Sequence, residues 1–480
     1  PKPQNRDRYA DNFFWFVYDF NKDGWNDLFR VGFPGTPGYV YVNPKGVKGH
    51  WKRHQVFDWV SNESPTLTNL VGDKRPELVC TRGGQFGYAT VDWENPLKPW
   101  TFHAVSGAIA SKKFGHGMGV GDVNGDGRLD ILHKDGWFEQ PASDKEAWKA
   151  RKFTFTPNGG AQIFAYDVDG DGDNDVITSL AAHEFGLAWF EQVKAVNGSS
   201  TFKKHLIMGS TRRENKYGLV FSELHATGLH DMDGDGLKDI VTGKTYWSHH
   251  KKSSQWDAGA VVYWFKLVRG KDGMDFVPYQ ADDDSGLGRQ VSIGDINADG
   301  LPDIVSAGMK GTHVLRHGVR KVSVPEYAKA QPKPYVAPPM PKGILPKGKD
   351  GKPLNLDFET GTLKDWTAKG KAFADQPIKG EIDPKRKWGK GKTAKPQGNF
   401  WLGGFEIHFD LPTGTLTSVS FEVTHPYASF LIGGGAHKET RVELVRVDTG
   451  KVFYTISGRN SETMRPVVVD LRAQAGQSIF

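Results

Sequence analysis

A single cysteine, Cys80, stands in the 480 residues. One thiol forms neither an intrachain disulfide nor a cysteine-based zinc site, so both staples are excluded. Its setting, PELVCT, reads as a strand in which Cys80 is a small buried hydrophobe. Long apolar runs are also missing. No stretch approaches the roughly 18 residues of a helical membrane span, so no membrane span is expected. The opening PKPQNRDRYA does not read as a secretory leader, and a chain that begins after processing is expected. Convincing helical periodicity is absent as well, which leaves an all-β protein as the expected fold class.

Charge of one sign is the last absence. The formal net charge is +6, but residues 321–400 hold 17 Lys+Arg against 8 Asp+Glu, so that segment carries +9 and the remainder −3. The basic surplus, seen in KRKWGKGKTAK, therefore belongs to a linker and its downstream neighbour and reads as a solvated loop. No nucleic acid is expected as a partner.

What the chain does have is 58 Gly, 27 Pro and 15 Trp within a length sufficient for two or three cores. The stretch GHGMGVGDVNGDGRLDILHKDGWFEQP, residues 115–141, places an aspartate cluster between two apolar runs and ends in an aromatic strand. The cluster Asp122, Asn124, Asp126, Gly127, Asp130 recurs as Asp19, Asn21, Asp23, Gly24, Asp27. It returns as Asp167, Asp169, Asp171, Gly172, Asp175, as Asp231, Asp233, Asp235, Gly236, Asp239, and as Asp295, Asn297, Asp299, Gly300, Asp303. A degenerate copy, NLVGDKRPE, keeps only Asp73 and Glu77 in register. Starts at 19, 69, 122, 167, 231 and 295 give a period of 45–64 residues, the signature of a propeller or a similar array. Aromatic segments such as GWFEQP, GLAWFEQ and VVYWFKL follow the clusters, and apolar-basic tails such as WKRHQVF and FKKHLIM follow those. Four hairpin-connected strands per unit are expected.

The spacing accounts for the residue types. Oxygens at alternate positions fall on one side of a tight loop, the glycine permits the sharp turn, and the last acid closes the sphere around an ion that takes about six to eight such ligands. Calcium is thus expected at the five complete copies, with a metal-free Asx turn as the other reading, and no calcium at the degenerate one. An EF-hand is not implied, because the closing acid comes early and strands flank the loop. Calcium dependence in turn favours a secreted, periplasmic or cell-surface protein.

The segments DVNGDGRLD, DVDGDGDND, DMDGDGLKD and DINADGLPD resemble the FG-GAP, or VCBS, repeats of β-propellers, over about residues 10–318. The resemblance implies a propeller, assigned here to residues 1–322, with calcium in the turn between the first two strands of a blade; it implies no activity, since such scaffolds serve both adhesion and polysaccharide cleavage. Six copies give six blades, or seven if one lies upstream of Pro1.

If the aspartate loops join the first and second strands, chemistry belongs on the opposite face. Residues six before the first aspartate are Phe13, Glu63, His116, Ala161, His225 and Arg289, equivalent positions around one axis. Second-to-third strand loops on the same face add His183, then Lys244, Tyr246, Trp247, His249 and His250, and then Arg82, Gln85 and Tyr88, with the acidic ADDDSGLG, residues 281–288, close by. The expected catalytic set is His116, His183, His225, Tyr246, Lys244 and Arg289; the expected substrate contacts are Glu63, Arg82, Gln85, Trp247 and His249. Aromatic faces stack on sugar rings, Arg and Lys pair with carboxylate or sulfate, and His with Tyr supplies base and acid. The same histidines suit a transition metal, and any one of them suits a structural hydrogen bond.

From PEYAKAQPKPYVAPPMPKG onward an extended Pro- and Lys-rich linker is expected, assigned to 323–353. Residues 354–480, from LNLDFETGTLKDW through VVVDL, resemble the jelly-roll modules of extracellular glycoside hydrolases, including the fructan-cleaving family, and imply a β-sandwich whose closing strands are expected beyond Phe480. The combined expectation is a carbohydrate-active propeller, a lyase or dehydratase on an anionic polysaccharide, because paired carboxylates for hydrolysis are not evident. Such repeats are similar to those of some polysaccharide lyases and of the aldos-2-ulose dehydratase propeller. The rival class is a non-catalytic carbohydrate-binding or adhesion protein.

Overall fold

Strands such as ELVCTR (Glu77–Arg82) and DVITS (Asp175–Ser179) are buried along almost their whole length, which requires apolar cover on both faces. The computed structural model describes residues 11–194, 200–246, 253–271, 273–336, 343–381, 394–459 and 461–480. Helix makes up 4% and strand 43%, so the protein is all-β, as the missing helical periodicity implied. Two compact units divide it, Pro1–Ala337 and Pro338–Phe480.

The first unit is a propeller-like arrangement of small antiparallel sheets. Six meanders follow one another over residues 14–60, 66–108, 118–152, 162–208, 227–282 and 291–315; among the described residues the first five have four strands and the sixth has three. The third and fourth share one eight-stranded sheet, because their first strands, Met118–Gly121 and Gln162–Tyr166, pair in parallel. Gly119 permits that approach: a Cβ there would lie 1.7 Å from the Ile163 carbonyl oxygen.

Period-two alternation explains the double-sided burial. Leu78 and Cys80 pack with Phe14, Phe29 and Val40 of the first meander, while Val79 between them packs with Met118 and Ile131 of the third. Leu132 turns the other way, toward Ile163 and Val176. Ile240 meets Ile177 and Leu187 of the fourth meander, whereas Val241 joins Leu287 and Ile304. Five apolar layers thus fill the five gaps between successive meanders. The first and sixth are tied by polar bonds: the Trp15 amide donates to Gln290 Oε1, and Gln290 Nε2 donates to the Trp15 carbonyl, both at 2.9 Å. Outer strands such as KARK (Lys149–Lys152) are mostly exposed, and their lysines blunt a free edge.

Two features depart from the sequence expectation. The segment expected to be extended begins with a helix, Val324–Ala330, whose N-cap Ser323 accepts from the Glu326 amide at 3.4 Å and whose Pro325 sits in the first turn; a cap and an early proline outweigh the proline-rich average. The residues after it pack on the first unit: the Tyr335 amide donates to the Lys216 carbonyl at 2.7 Å, and Arg212 lies 4.7 Å from the Tyr335 ring centre. That unit therefore extends past 322.

In the second unit the strands form five antiparallel pairs among the described residues. The longest joins Tyr427–Gly434 to Ser461–Asp470, and Phe421–Glu422 pairs with Ser478–Ile479. Its core gathers Val423, Val467, Val469, Leu471 and Ile479.

Candidate functional site

The aspartate loops all connect first and second strands, so they share one end of the meanders. In the third loop Asp122 Oδ1 accepts the Gly125 and Asp126 amides at 2.8 and 3.1 Å, and Oδ2 accepts Gly127 at 2.8 Å. Gly127 has φ 84°, a conformation that suits glycine. Asp19 and Asp295 organise their turns alike, and Asn21, Asn124 and Asn297 each accept the amide of the next aspartate, Asp23, Asp126 and Asp299. Asp169 and Asp171 continue the pattern in the fourth loop. Asp235 shares the Lys266 ammonium with Asp233.

The closing acids have a second role that spacing alone did not indicate. Asp130 accepts the Val123 amide at 3.0 Å and the Gln140 amide at 2.9 Å, clamping the loop to the end of the third strand. Asp175, Asp239 and Asp303 make the same two bonds, and Asp27 holds Asn43 at 2.9 Å. Burial pushes Asp130 up to about 6 and Asp175 and Asp239 up to about 7. In the degenerate loop Glu77, one methylene longer, takes Leu70 and Val71 at 2.8 and 3.2 Å. One carboxylate oxygen each from Asp167, Asp169 and Asp175, and likewise from Asp231, Asp233 and Asp239, lie within 4.8 Å of one another.

Chain reversal puts the starts of the first strands and the second-to-third strand loops at the other end. There His116 Nε2 lies 3.0 Å from His183 Nε2. The His225 ring centre is 4.3 Å from that of His183 and 5.7 Å from that of His116. Arg289 Nε donates to Glu63 Oε2 at 2.6 Å, and its guanidinium lies 5.8 Å from the Phe13 ring. The Glu63 amide donates to the Gly115 carbonyl beside His116 at 2.8 Å. Ala161, the small member of the register, is buried with its amide on Ser179 Oγ. The equivalent positions read from the repeat thus come together in space. His225 is 2% exposed, Glu63 4% and Arg289 9%, while His116 and His183 are half-buried. Burial, reinforced by the Arg289 charge, holds the His225 imidazole well below its usual range and therefore neutral.

Lys244 is buried, donates to the Thr245 and Trp256 carbonyls at 3.2 and 3.3 Å, and has its pKa lowered by desolvation. Tyr246 is 39% exposed with Lys310 Nζ 5.1 Å from its ring centre, and Lys310 in turn pairs with Asp284 of the acidic crossover. Arg82 pairs with Asp58 and lies over Trp59, while Gln85 Nε2 donates to the Ser106 carbonyl at 3.3 Å; both have partners within the second meander and its neighbour strand. Trp247 and His249, with His250, lie outside the described residues.

Sequence reasoning missed Glu223. It is fully buried, it carries φ 67° in the left-handed region, and its Oε2 lies 3.3 Å from His225 Nδ1 and 4.0 Å from His183 Nδ1. A buried acid beside two imidazoles on a left-handed backbone makes Glu223 a member of the candidate site. The signal was its place in FSELHATG, two residues before a histidine already in register.

No protein-family model matches the chain. A 120-residue stretch is 28% identical to a candidate glycosyl hydrolase, ecdE, of Aspergillus rugulosus; it covers 25% of this chain and 16% of that relative's length. Among solved structures, an Agrocybe aegerita lectin that recognises non-reducing terminal N-acetylglucosamine aligns at TM-score 0.39 and 18% identity, over 64% of this chain and 77% of the lectin. AofleA from Arthrobotrys oligospora aligns at 0.34 and 12%, over 64% and 85%, and the V. cholerae biofilm matrix protein Bap1 at 0.30 and 12%, over 96% and 62%.

Proposed function

We propose that the end of the meanders bearing His116, His183 and His225 binds and transforms an anionic carbohydrate, as a lyase or dehydratase. The observation that carries this reading is the convergence of three imidazoles, Glu223 and the Arg289–Glu63 pair at the mouth of the propeller-like unit. The short likeness to a candidate glycosyl hydrolase agrees with a carbohydrate substrate. A β-elimination removes the proton α to a sugar carboxylate, forms the C=C bond and expels the β-oxygen, which takes up a proton. It needs cover for the carboxylate charge, a base and an acid. Arg289 offers the first, with imidazole N–H groups as hydrogen-bond donors beside it; His183 and Tyr246, both reachable from solvent, are the candidates for the other two.

Six meanders form the blades of one ring in this reading, supported by the paired bonds between Trp15 and Gln290. Calcium fills the five complete aspartate loops, supported by an all-oxygen donor set on a glycine-turned loop, and such dependence suits a secreted, periplasmic or surface protein. The second unit is read as a jelly-roll carbohydrate-binding module. A non-catalytic binding protein is the alternative, favoured by the deep burial of His225 and Glu63.

The test is to incubate the whole chain with uronate polysaccharides and follow the absorbance of unsaturated uronates, alongside a glycan array. Turnover that falls by about 10²–10⁴ in His183→Ala or Tyr246→Phe supports the enzyme. Binding without turnover selects the alternative, and neither would reject the reading.

A further inference from the structure

We propose that His116, His183 and His225 form a three-imidazole site for a divalent transition metal of the zinc class, with Glu223 as the carboxylate that orients two of them. This deepens the carbohydrate reading, on which only its substrate rests. One nitrogen from each ring lies within 4.8 Å of the others. The two Nε2 atoms of His116 and His183 stand 3.0 Å apart, and two imidazoles on one tetrahedral zinc at about 2.0–2.1 Å are separated by about 3.3 Å. Little movement separates the observed cluster from a coordination sphere.

Glu223 strengthens the case. A metal-bound imidazole presents one nitrogen to the ion and the other to a carboxylate or carbonyl that fixes its tautomer and orientation. Here the Nδ1 atoms of His225 and His183 face Glu223 Oε2 at 3.3 and 4.0 Å, while Nε2 of His183 faces His116. A plain hydrogen bond between two imidazoles explains the His116–His183 contact. It does not explain a third ring 4.3 Å from His183, nor a fully buried carboxylate held at φ 67° behind two of the three rings. Of the other nearby acids, Glu63 is engaged by Arg289, and Glu184, next to His183, accepts the Ser254 amide at 3.4 Å.

Three imidazole nitrogens suit zinc and its first-row neighbours and are a poor set for calcium. Three ligands among the described residues leave a fourth position for water or substrate, and His116 and His183 are half-buried, not closed off from solvent. A sugar carboxylate is the ligand the site would take there. With His183 held as a ligand, its share of the proton transfer falls to Tyr246, which takes the α-proton and returns it to the expelled β-oxygen.

The experiment uses the whole chain, stripped with chelator and returned to excess calcium so that the aspartate loops stay filled. Zn²⁺ is titrated by calorimetry and Co²⁺ by visible absorption. One equivalent of either is expected, with the intense ligand-field bands of low-coordinate Co²⁺, and calcium should not displace it. His116→Ala and His183→Ala should abolish stoichiometric binding, and Glu223→Gln should weaken it by about 10–100-fold at unchanged stoichiometry. Thermal melting in calcium checks that each variant folds, and His183→Gln replaces any alanine variant that does not. Zn²⁺ binding that is absent, or equal in wild type and the histidine variants, overturns the proposal. Sugar turnover by a metal-free chain would remove the metal and keep the carbohydrate reading; tight Zn²⁺ binding with no effect on any glycan would do the reverse.

Discussion

His133 ends a strand in which every residue is buried, stacked on Phe138 at 5.0 Å and tilted against Phe86 at 4.8 Å, with the Asp135 amide 3.3 Å from Nδ1 and Lys134 alongside. Burial lowers its pKa to about 4, against about 6.5 for an exposed imidazole. The folded state therefore favours the neutral ring. The contribution of His133 is complete above pH 6.5 and is lost as pH falls toward 4, roughly 3 kcal/mol in all. Asp130, Asp175 and Asp239 run the opposite way: their raised values favour the metal-free fold in acid and cease to do so as pH rises through 6–7. That effect is common to wild type and His133→Gln, so urea unfolding at pH 7.5 and 4.5 should show a smaller acid loss in the variant; equal losses reject the assignment. Arg289 gives a second residue-scale expectation. Arg289→Met strands Glu63 in the interior and should cost about 3–5 kcal/mol, most of it recovered in Arg289→Met/Glu63→Leu. Melting temperatures of the single and double variants decide this, and an additive double variant would refute it. At this scale the repeat register found Glu63, His116, His225 and Arg289 because equivalent positions converge on one axis. Glu223 escaped because the register was read only at the position six before the first aspartate, and the position eight before it holds an acid in just one other repeat, Asp11.

Strand pairs obey the alternation that the sequence displays, and their tolerance of substitution follows from spacing. Gly119→Ala must push the Ile163 carbonyl away and so separate the paired first strands of the third and fourth meanders, at a cost of about 1–3 kcal/mol from overpacking. Gly107, in an outer strand with nothing within 4 Å of the place a Cβ would take, should accept alanine with a gain of about 0.4–1 kcal/mol. Chemical denaturation of the two variants tests the contrast, and equal stabilities would mean that the parallel pairing contributes nothing. The meanders were legible because aspartate loop, aromatic strand and basic tail recur in a fixed order. The helix Val324–Ala330 was not, since seven residues are too few for a periodic signal and its Ser323 cap is a single-residue cue. Tyr246 was placed by its distance from the closing aspartate, and a loop that crosses to Lys310 and Asp284 has no such fixed geometry.

The aspartate loops recur at one end of the meanders of the first unit. If calcium fills five of them, chelation should lower the melting temperature markedly, since each site held at 100 times its Kd adds about 2.7 kcal/mol to the native state. Asp295→Ala should reproduce some of that loss and abolish its share of bound calcium by elemental analysis. Asp73→Ala, in the degenerate loop that Glu77 holds through the Leu70 and Val71 amides, should change neither; a calcium-free wild type would reject the idea. The propeller-like architecture was legible at this scale from period alone, while the fate of the chain after 322 was not, because the contact between Tyr335 and Lys216 joins residues far apart in sequence. One seam has a consequence for how the molecule assembles. Trp15 and Gln290 are 275 positions apart, whereas each apolar layer joins neighbouring meanders that lie close along the chain. Loop-closure entropy rises by about 0.6 kcal/mol per doubling of length, so the layers can condense one after another while the seam must wait for both ends. The seam is then the last contact made and the first undone. The Trp15 amide should exchange with deuterium before the amides of the other first strands, at an opening free energy below that of global unfolding.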